Sequence, residues 1–520
     1  MLIHIFSAAT FGLETIQIDV EVSVQNRGLP GFDIVGLGDK AVAESRERVR
    51  AAIVNSKLEF PQKKIIVNLA PADIPKEGSF YDLPIALGIL SSFLPLSLPE
   101  DALFFGELSL DGSLRHTRGA FLLALFAKEA GYRHVFVPKD SANEAAAVEN
   151  IAVYPVENLS QLISHFFGKQ KIEEIAYSAP SFDGAAAAEF DMGEILGQEQ
   201  SKRALEIAAA GAHNILFVGS PGAGKTMLAK ALPGILPELN IEERFEVTKI
   251  YSAAGHIPPG GGFIRTRQVR SPHHTASLVG LMGGGQTPQP GEVTLAHRGV
   301  LFLDEFTEFP RSAMEALRQP LEDGYITIAR SRGRIRYPAQ CMLVASANPC
   351  PCGYFGHPNR QCLCSPFQIA RYHKRISGPI LDRIDLHVDV PPVDLRELEE
   401  NQKAAQFLES SSAIRERVER ARTLQQKRFA SLREVSRRET KEAIHTNAQM
   451  RNAQVKEYCA ISSAGDRLLQ QAGTRFQLSA RSYMKVLKVA RTIADLEGAS
   501  DVTLPHLAEA LQYRSKVSVS

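Results

Sequence analysis

The chain has 520 residues, of which 44% are hydrophobic and 22% charged, and its formal net charge is +1. That length exceeds one ordinary core and implies about two to four domains, while a charge near zero excludes a uniformly basic nucleic-acid binder and leaves any such contact to local patches. No run of about 18 apolar residues occurs, and the opening MLIHIFSAATFG has neither the basic head nor the unbroken apolar stretch of a secretory signal, so the expectation is a cytoplasmic protein without a membrane span.

Residues 1–170 read as one α/β unit. β-rich segments near Ile16–Val24 and Lys64–Leu69 alternate with helical stretches near Lys40–Ser56 and Ala120–Gly131, and HVFVP from His134 is a further strand. Tyr177–Asp191 is small and polar with little to bury, which places a linker at 171–190. Between 191 and 392 the pattern changes to strands followed by glycine-rich turns and helices: NILFVG from Asn214, VLFLDE from Val300 and MLVASAN from Met342. Residues 393–520 read as helical, notably Leu395–Phe429 and a last bundle over Leu478–Val517. The fold class expected is multidomain α/β, with a P-loop core built on a parallel sheet and a helical C-terminal region.

The first of the core strands runs into Gly219, Ser220, Pro221, Gly222, Ala223, Gly224, Lys225 and Thr226, and MLAKALPGIL follows. This is GxxxxGK[ST] between a strand and a helix, the context in which the motif cradles a nucleoside triphosphate. Its glycines let backbone N–H groups turn inward around phosphate oxygens at the positive end of the helix. Lys225 is expected to reach the β and γ phosphates of ATP, and the Thr226 hydroxyl to ligate Mg2+. The next strand ends in Asp304 and Glu305, two adjacent carboxylates that are costly at the tip of a buried strand unless metal or water satisfies them. Asp304 is expected in the Mg2+ shell, and Glu305 to orient and deprotonate the attacking water. Asn348 ends the third strand, where its amide can bond both the γ-phosphate and that water; an Asn-Pro turn former is the plainer reading.

Two insertions are locally basic and are the expected DNA contacts, with a salt-bridged surface hairpin against acidic neighbours as the plainer reading of the second. Gly255–Val279 carries Arg265, Arg267, Arg270, His256, His273 and His274 with no acid. Gly324–Pro338 carries Arg330, Arg332, Arg334 and Arg336 around Gly333, and its β-branched flank predicts a hairpin with arginines about the turn. Cys350, Cys352, Cys362 and Cys364, four of six cysteines, pair two CxC steps across a polar loop that leaves the Asn348 strand. They do not have the spread of a secreted disulfide framework. Thiolates so gathered suit tetrahedral Zn2+, with His357 as a substitute ligand; reduced cysteines without metal and a redox element are the competing readings.

GLPGFDIVGLGDKAVAESRERVRAA from Gly28, NLAPADIPKEGSFYDLPIALGIL from Asn68 and ILGQEQSKRALEIAAAGAHNILFVGSPGAGKTMLA from Ile195, with VRSPHHTAS from Val269 and ANPCPCGYFG from Ala347, resemble the Mg-chelatase-like AAA+ ATPases of the YifB/ComM competence type. The resemblance covers essentially the whole chain. It implies an N-terminal domain related to the Lon protease domain and ribosomal protein S5, an AAA+ core and a helical lid, assembled as a homo-hexamer. It also implies branch migration on single-stranded and branched DNA during natural transformation, in company with recombination proteins. By the same resemblance Arg383 matches the arginine finger and Arg481 the second sensor arginine; a domain-face salt bridge for Arg383 and a lid surface charge for Arg481 are the plainer readings. Lon's serine and lysine positions fall on Phe80 and Phe121, so proteolysis is not expected; Lys76 and Ser79 form at most a shifted pair within one turn. The alternative is a chelatase-type ATPase that remodels a protein partner, since the clade includes both. A non-hydrolysing switch is disfavoured by Asp304-Glu305.

Overall fold

The computed structural model describes residues 2–25, 29–36, 40–74, 76, 78–175, 177, 181–182, 188–285, 288–330, 333–392, 409–430, 432, 444–476 and 478–514. The opening residues, read above only for what they lack, form strand Leu2–Phe11, which pairs antiparallel with Glu14–Gln25. The latter pairs with Lys64–Ala70, which takes Gly31–Val35 on its other side. Ile18, Val20, Val22 and Val24 are buried and alternate with more open residues, the period of a sheet covered on one face. Helix Asp82–Ser91, buried almost throughout, supplies that cover. A second sheet of Ala102–Phe104, His134–Pro138 and Ala152–Val156 is parallel.

The central region holds a five-stranded sheet in the order Val269–Arg270, Val300–Leu303, Met342–Ala347, Ile215–Gly219, Leu386–Val390, parallel throughout. Val300–Leu303 and Met342–Ala347 are buried at every position, as strands covered on both faces require. Because all strands run one way, every C-terminal strand end opens on one edge, where α/β sheets place their ligands. Helices Ser411–Arg428, Asn452–Tyr458, Ser463–Phe476, Ala480–Leu496 and Leu504–Gln512 form the C-terminal region. They share one apolar core with the sheet and with helix Glu199–Gly211. Of the helix expected at Leu395–Phe429, residues 395–408 lie outside the described residues, and the last bundle resolves into two helices.

The linker is less idle than its composition suggests. Ser181–Phe182 pairs in parallel with Phe263–Ile264 of the core, and Ile175 bridges Val153. Polar composition cannot show pairing with a strand so distant in sequence; residues 178–180 and 183–187 lie outside the described set. The N-terminal domain is seated on helix Ile241–Ala254: Phe121 packs against Phe245 and Phe263 with centroids 5.7 and 5.5 Å away. Beside them Glu144 accepts hydrogen bonds from Phe121 N at 3.0 Å and Ser252 Oγ at 2.6 Å, and burial raises its carboxyl to about 7. No helix among the described residues is long and apolar enough to cross a membrane.

Candidate active site

The P-loop strand delivers Gly219 to the open edge of the sheet, and helix Lys225–Ala231 begins after Gly224, whose φ of 91° only glycine adopts without cost. Lys225 Nζ donates to Gly219 O at 2.6 Å, Ser220 O at 3.0 Å and Asn348 Oδ1 at 3.2 Å. Burial lowers its pKa, opposed by Asp304 and Glu305. Thr226 Oγ1 donates to Asp304 Oδ2 at 3.0 Å; two hard oxygens so placed fit Mg2+. Ser220 Oγ is shielded and has no hydrogen-bond partner among the described residues, which suits a hydroxyl aimed at a phosphate oxygen. One edge therefore gathers Lys225, Thr226, Asp304, Glu305 and Asn348, the set expected from the sequence.

Two further residues at this edge were not anticipated in that role. Ser346 Oγ donates to Asp304 Oδ1, and Glu305 N donates to Ser346 Oγ at 3.2 Å. The signal was present, since Ser346 is the one hydroxyl in an otherwise apolar buried strand. His274, read from sequence as a DNA-facing residue, instead places Nδ1 3.4 Å from Glu305 Oε2. Glu305 has a φ of 50°, a left-handed turn that redirects its side chain from the line of the strand.

Arg383 and Arg481 are not brought to this edge. Arg383 O accepts from Asn214 Nδ2 at 3.0 Å, and Asn214 immediately precedes the P-loop strand Ile215–Gly219, which Gly219 ends. At about 3.3 Å per residue, roughly 16 Å of strand separates the two. Arg481, at the start of helix Ala480–Leu496, joins Arg383: both guanidinium groups donate to the Glu322 carboxylate, Arg481 Nη2 at 2.6 Å from Oε1 and Arg383 Nη2 onto Oε2. Neither arginine can serve the nucleotide pocket of its own chain without a large movement.

Comparison with known proteins agrees with this layout. Residues 20–141 match the family described as subunit ChlI of Mg-chelatase, 191–398 that of magnesium chelatase, subunit ChlI, and 408–514 its C-terminal part. Competence protein ComM of Haemophilus influenzae is 41% identical across 99% of this chain and 97% of its own length. The chain belongs to the Mg-chelatase-like ComM/YifB family of AAA+ ATPases. YifB of Escherichia coli is likewise 41% identical, over 98% of this chain and 96% of that protein. The magnesium-chelatase 38 kDa subunit of Rhodobacter capsulatus is 29% identical over 34% of this chain and 55% of that protein. Membership supports ATPase activity.

Within this ComM/YifB chain the two basic insertions part company. In the first, Arg267 is paired with Glu243 at 2.7 Å and donates to the Arg298 carbonyl at 2.6 Å, while Arg270 clamps Glu292 at 2.6 and 2.8 Å. Burial alone would raise the Glu243 carboxyl, but Arg267 and Arg298 bring it down to about 2. These arginines are structural ties, a correction to the DNA-facing expectation. The neutralising acids lie outside the window, where a local charge count misses them. The second insertion is the expected hairpin, Tyr325–Arg330 against Gly333–Pro338. Ile326, Ile328, Ile335 and Tyr337 form its buried face and belong to an apolar cluster against which Phe11 and Leu13 pack. Arg334 and Arg336 are on the exposed face, Arg336 stacked 3.6 Å over the Tyr325 ring. Arg332 and the side chain of Arg330 lie outside the described residues.

Cys350, Cys352, Cys362 and Cys364 converge as free thiols with sulfurs within 4.8 Å of one another. Three of the spacings are 3.4, 3.7 and 3.6 Å, close to the roughly 3.8 Å edge of a sulfur tetrahedron around Zn2+. Amide hydrogen bonds from Tyr354 and Leu363 pull the Cys352 thiol down to about 6. His357 is not part of this group; its Nδ1 accepts from Asn359 N at 3.0 Å, which corrects its reading as a substitute ligand. The loop also touches the P-loop, for a Cβ at Gly353, where φ is +82°, would lie 2.5 Å from Pro221 Cδ. In the N-terminal domain, Lys76 Nζ donates to Pro71 O and Ser79 Oγ to Glu107 Oε2. The shifted serine–lysine pair is thus engaged with other groups.

Proposed function

We propose that this ComM/YifB relative is an ATP-driven DNA motor that works as a hexameric ring and promotes branch migration of recombination intermediates in natural transformation. The observation that carries the reading is the split of the site: Lys225, Thr226, Asp304, Glu305 and Asn348 stand at one edge of the sheet, and Arg383 with Arg481 at the other. A catalytic set completed only by a second copy is one that couples hydrolysis to assembly. Lys225 exchanges the Gly219 and Ser220 carbonyls for phosphate oxygens, and the amides of Gly219–Thr226 line the rest of the cradle. Mg2+ held by Thr226 and Asp304 would neutralise charge shared between the β and γ phosphates. Glu305 accepts the proton of the attacking water, Ser346 keeps Asp304 and the Glu305 backbone in register, and Asn348 orients water against the terminal phosphate. Arg383 and Arg481 of a second copy supply fixed positive charge to the γ-phosphoryl group as it passes to water and ADP leaves. The N-terminal domain is read as a Lon- and S5-like collar without protease residues, and the C-terminal helices as the AAA+ lid.

Arginines on the exposed face of hairpin 325–338, repeated around a ring, would track a phosphate backbone without reading bases. Arg334→Ala and Arg336→Ala are therefore expected each to lower the slope of log affinity for DNA against log salt by about one, read by fluorescence anisotropy across a salt series. An unchanged slope removes the hairpin from the DNA path. The motor itself is tested by ATPase rates without ligand, with branched DNA and with plain duplex. Stimulation by branched DNA together with junction movement is expected. A flat response favours the second reading, a chelatase-type ATPase acting on a protein partner, for which the match of residues 191–398 and 408–514 to chelatase subunits speaks.

The sulfur geometry supports one structural Zn2+ per chain at Cys350, Cys352, Cys362 and Cys364. Metal analysis after chelator-free purification is expected to return about one zinc per chain, and Cys350→Ser to lose it along with part of the nucleotide affinity, because the loop rests on Pro221. A stoichiometry near zero ends the proposal.

A further inference from the structure

The cleft at the edge away from the P-loop has a volume of about 850 Å3, and Glu322, Arg383 and Arg481 stand in its lining. Three other cations of that lining have acids of their own, Arg267 with Glu243, Arg298 with Glu246 and Lys485 with Asp385, each at 2.7 Å, while Arg422 and Lys488 donate to the Ala209 and Ala448 carbonyls. Arg383 and Arg481 instead divide a single carboxylate. Arg383 comes from the turn before strand Leu386–Val390 and Arg481 from the C-terminal region, so Glu322 is where core and C-terminal helices meet on this face. The Glu322 side chain is 43% exposed and that of Arg481 59%. Arg383 is 12% exposed and further held by Pro379 O at 2.7 Å, while its Nε is shielded without a partner among the described residues.

Two guanidinium groups on one carboxylate leave the cluster with one positive charge in excess, at a surface that solvent reaches. A terminal phosphate brings more charge and one more acceptor oxygen than a carboxylate, in a geometry the arginine fork matches equally well. We propose that Glu322 is a positioning residue that clasps Arg383 and Arg481 together in the single chain and yields them to the terminal phosphate of ATP bound on a second copy. This rests on the ring reading above. The clasp keeps both arginines paired and aimed, and it sets a threshold, because the incoming phosphate must displace Glu322 before the interface closes.

The test uses full-length chains in a Glu305→Gln background, expected to bind ATP and hydrolyse it only slowly, and follows assembly by sedimentation velocity as ATP is raised. Glu322→Gln keeps the shape and removes the charge, and is expected to lower the ATP concentration at half-assembly by about threefold to tenfold, the scale of two partly exposed ion pairs. Glu322→Asp, which keeps the charge, should stay near the parent. In a chain also carrying Arg383→Ala and Arg481→Ala the Glu322→Gln effect should vanish, since nothing remains to be released. An unchanged midpoint, a raised one, or a lowered one that persists without the arginines each overturns the exchange. A Glu305→Gln chain that stays unassembled at saturating ATP instead removes the ring reading, and the exchange with it.

Discussion

Glu305→Gln protein is expected to bind ATP as the parent does and to hydrolyse it about 10^2- to 10^4-fold more slowly, the usual contribution of a positioned general base. The carboxylate stands on the same edge as Lys225 and the Thr226–Asp304 pair, and its backbone is pinned through Ser346. The substitution therefore changes one proton acceptor and little of the cradle. Fluorescent-nucleotide titration and single-turnover hydrolysis separate the two effects. Lys225→Ala should fail at the first step, because its ammonium is the group that meets the phosphates. If the Glu305→Gln chain turned over ATP at the parental rate, water activation would have no residue on this edge and the hydrolytic assignment would go with it.

What was legible beforehand follows from how locally each feature is encoded. The P-loop is a single stretch of eight consecutive residues from Gly219 to Thr226, so strand, turn and helix could be read together. The Asp304-Glu305 pair was legible because two carboxylates closing a buried apolar strand demand an explanation. The ions that face one another across the fold were not. Arg267 and Arg270 looked free in a window without acids, yet Glu243 and Glu292 reach them from other elements. His274 looked like part of the same basic patch, and only the return of the chain beside strand Val300–Leu303 sets it against Glu305. The cysteine spacing indicated that four sulfurs meet; that their loop lies on Pro221 depends on a glycine whose role no spacing shows.

Mixing experiments decide between cis and trans action for the two arginines. Arg383→Ala and Lys225→Ala proteins should each lose hydrolysis, Arg383→Ala by about 10^3-fold or more if it acts as an arginine finger does. In rings formed from equal amounts of both, about a quarter of heterologous interfaces pair an intact pocket with an intact arginine, and activity approaching that fraction of the parent should return. Arg481 stands with Arg383 on Glu322, in the cleft lined by Asn214, Val300 and Met342 at the sheet edge away from the P-loop. An Arg481→Ala chain mixed with Lys225→Ala should thus be rescued to a similar degree. Arg383→Ala mixed with Arg481→Ala should not be, because every chain then offers its neighbour an incomplete pair. Rescue in that last mixture would mean that Arg481 swings across to its own nucleotide, and the shared face described here would serve Arg383 alone.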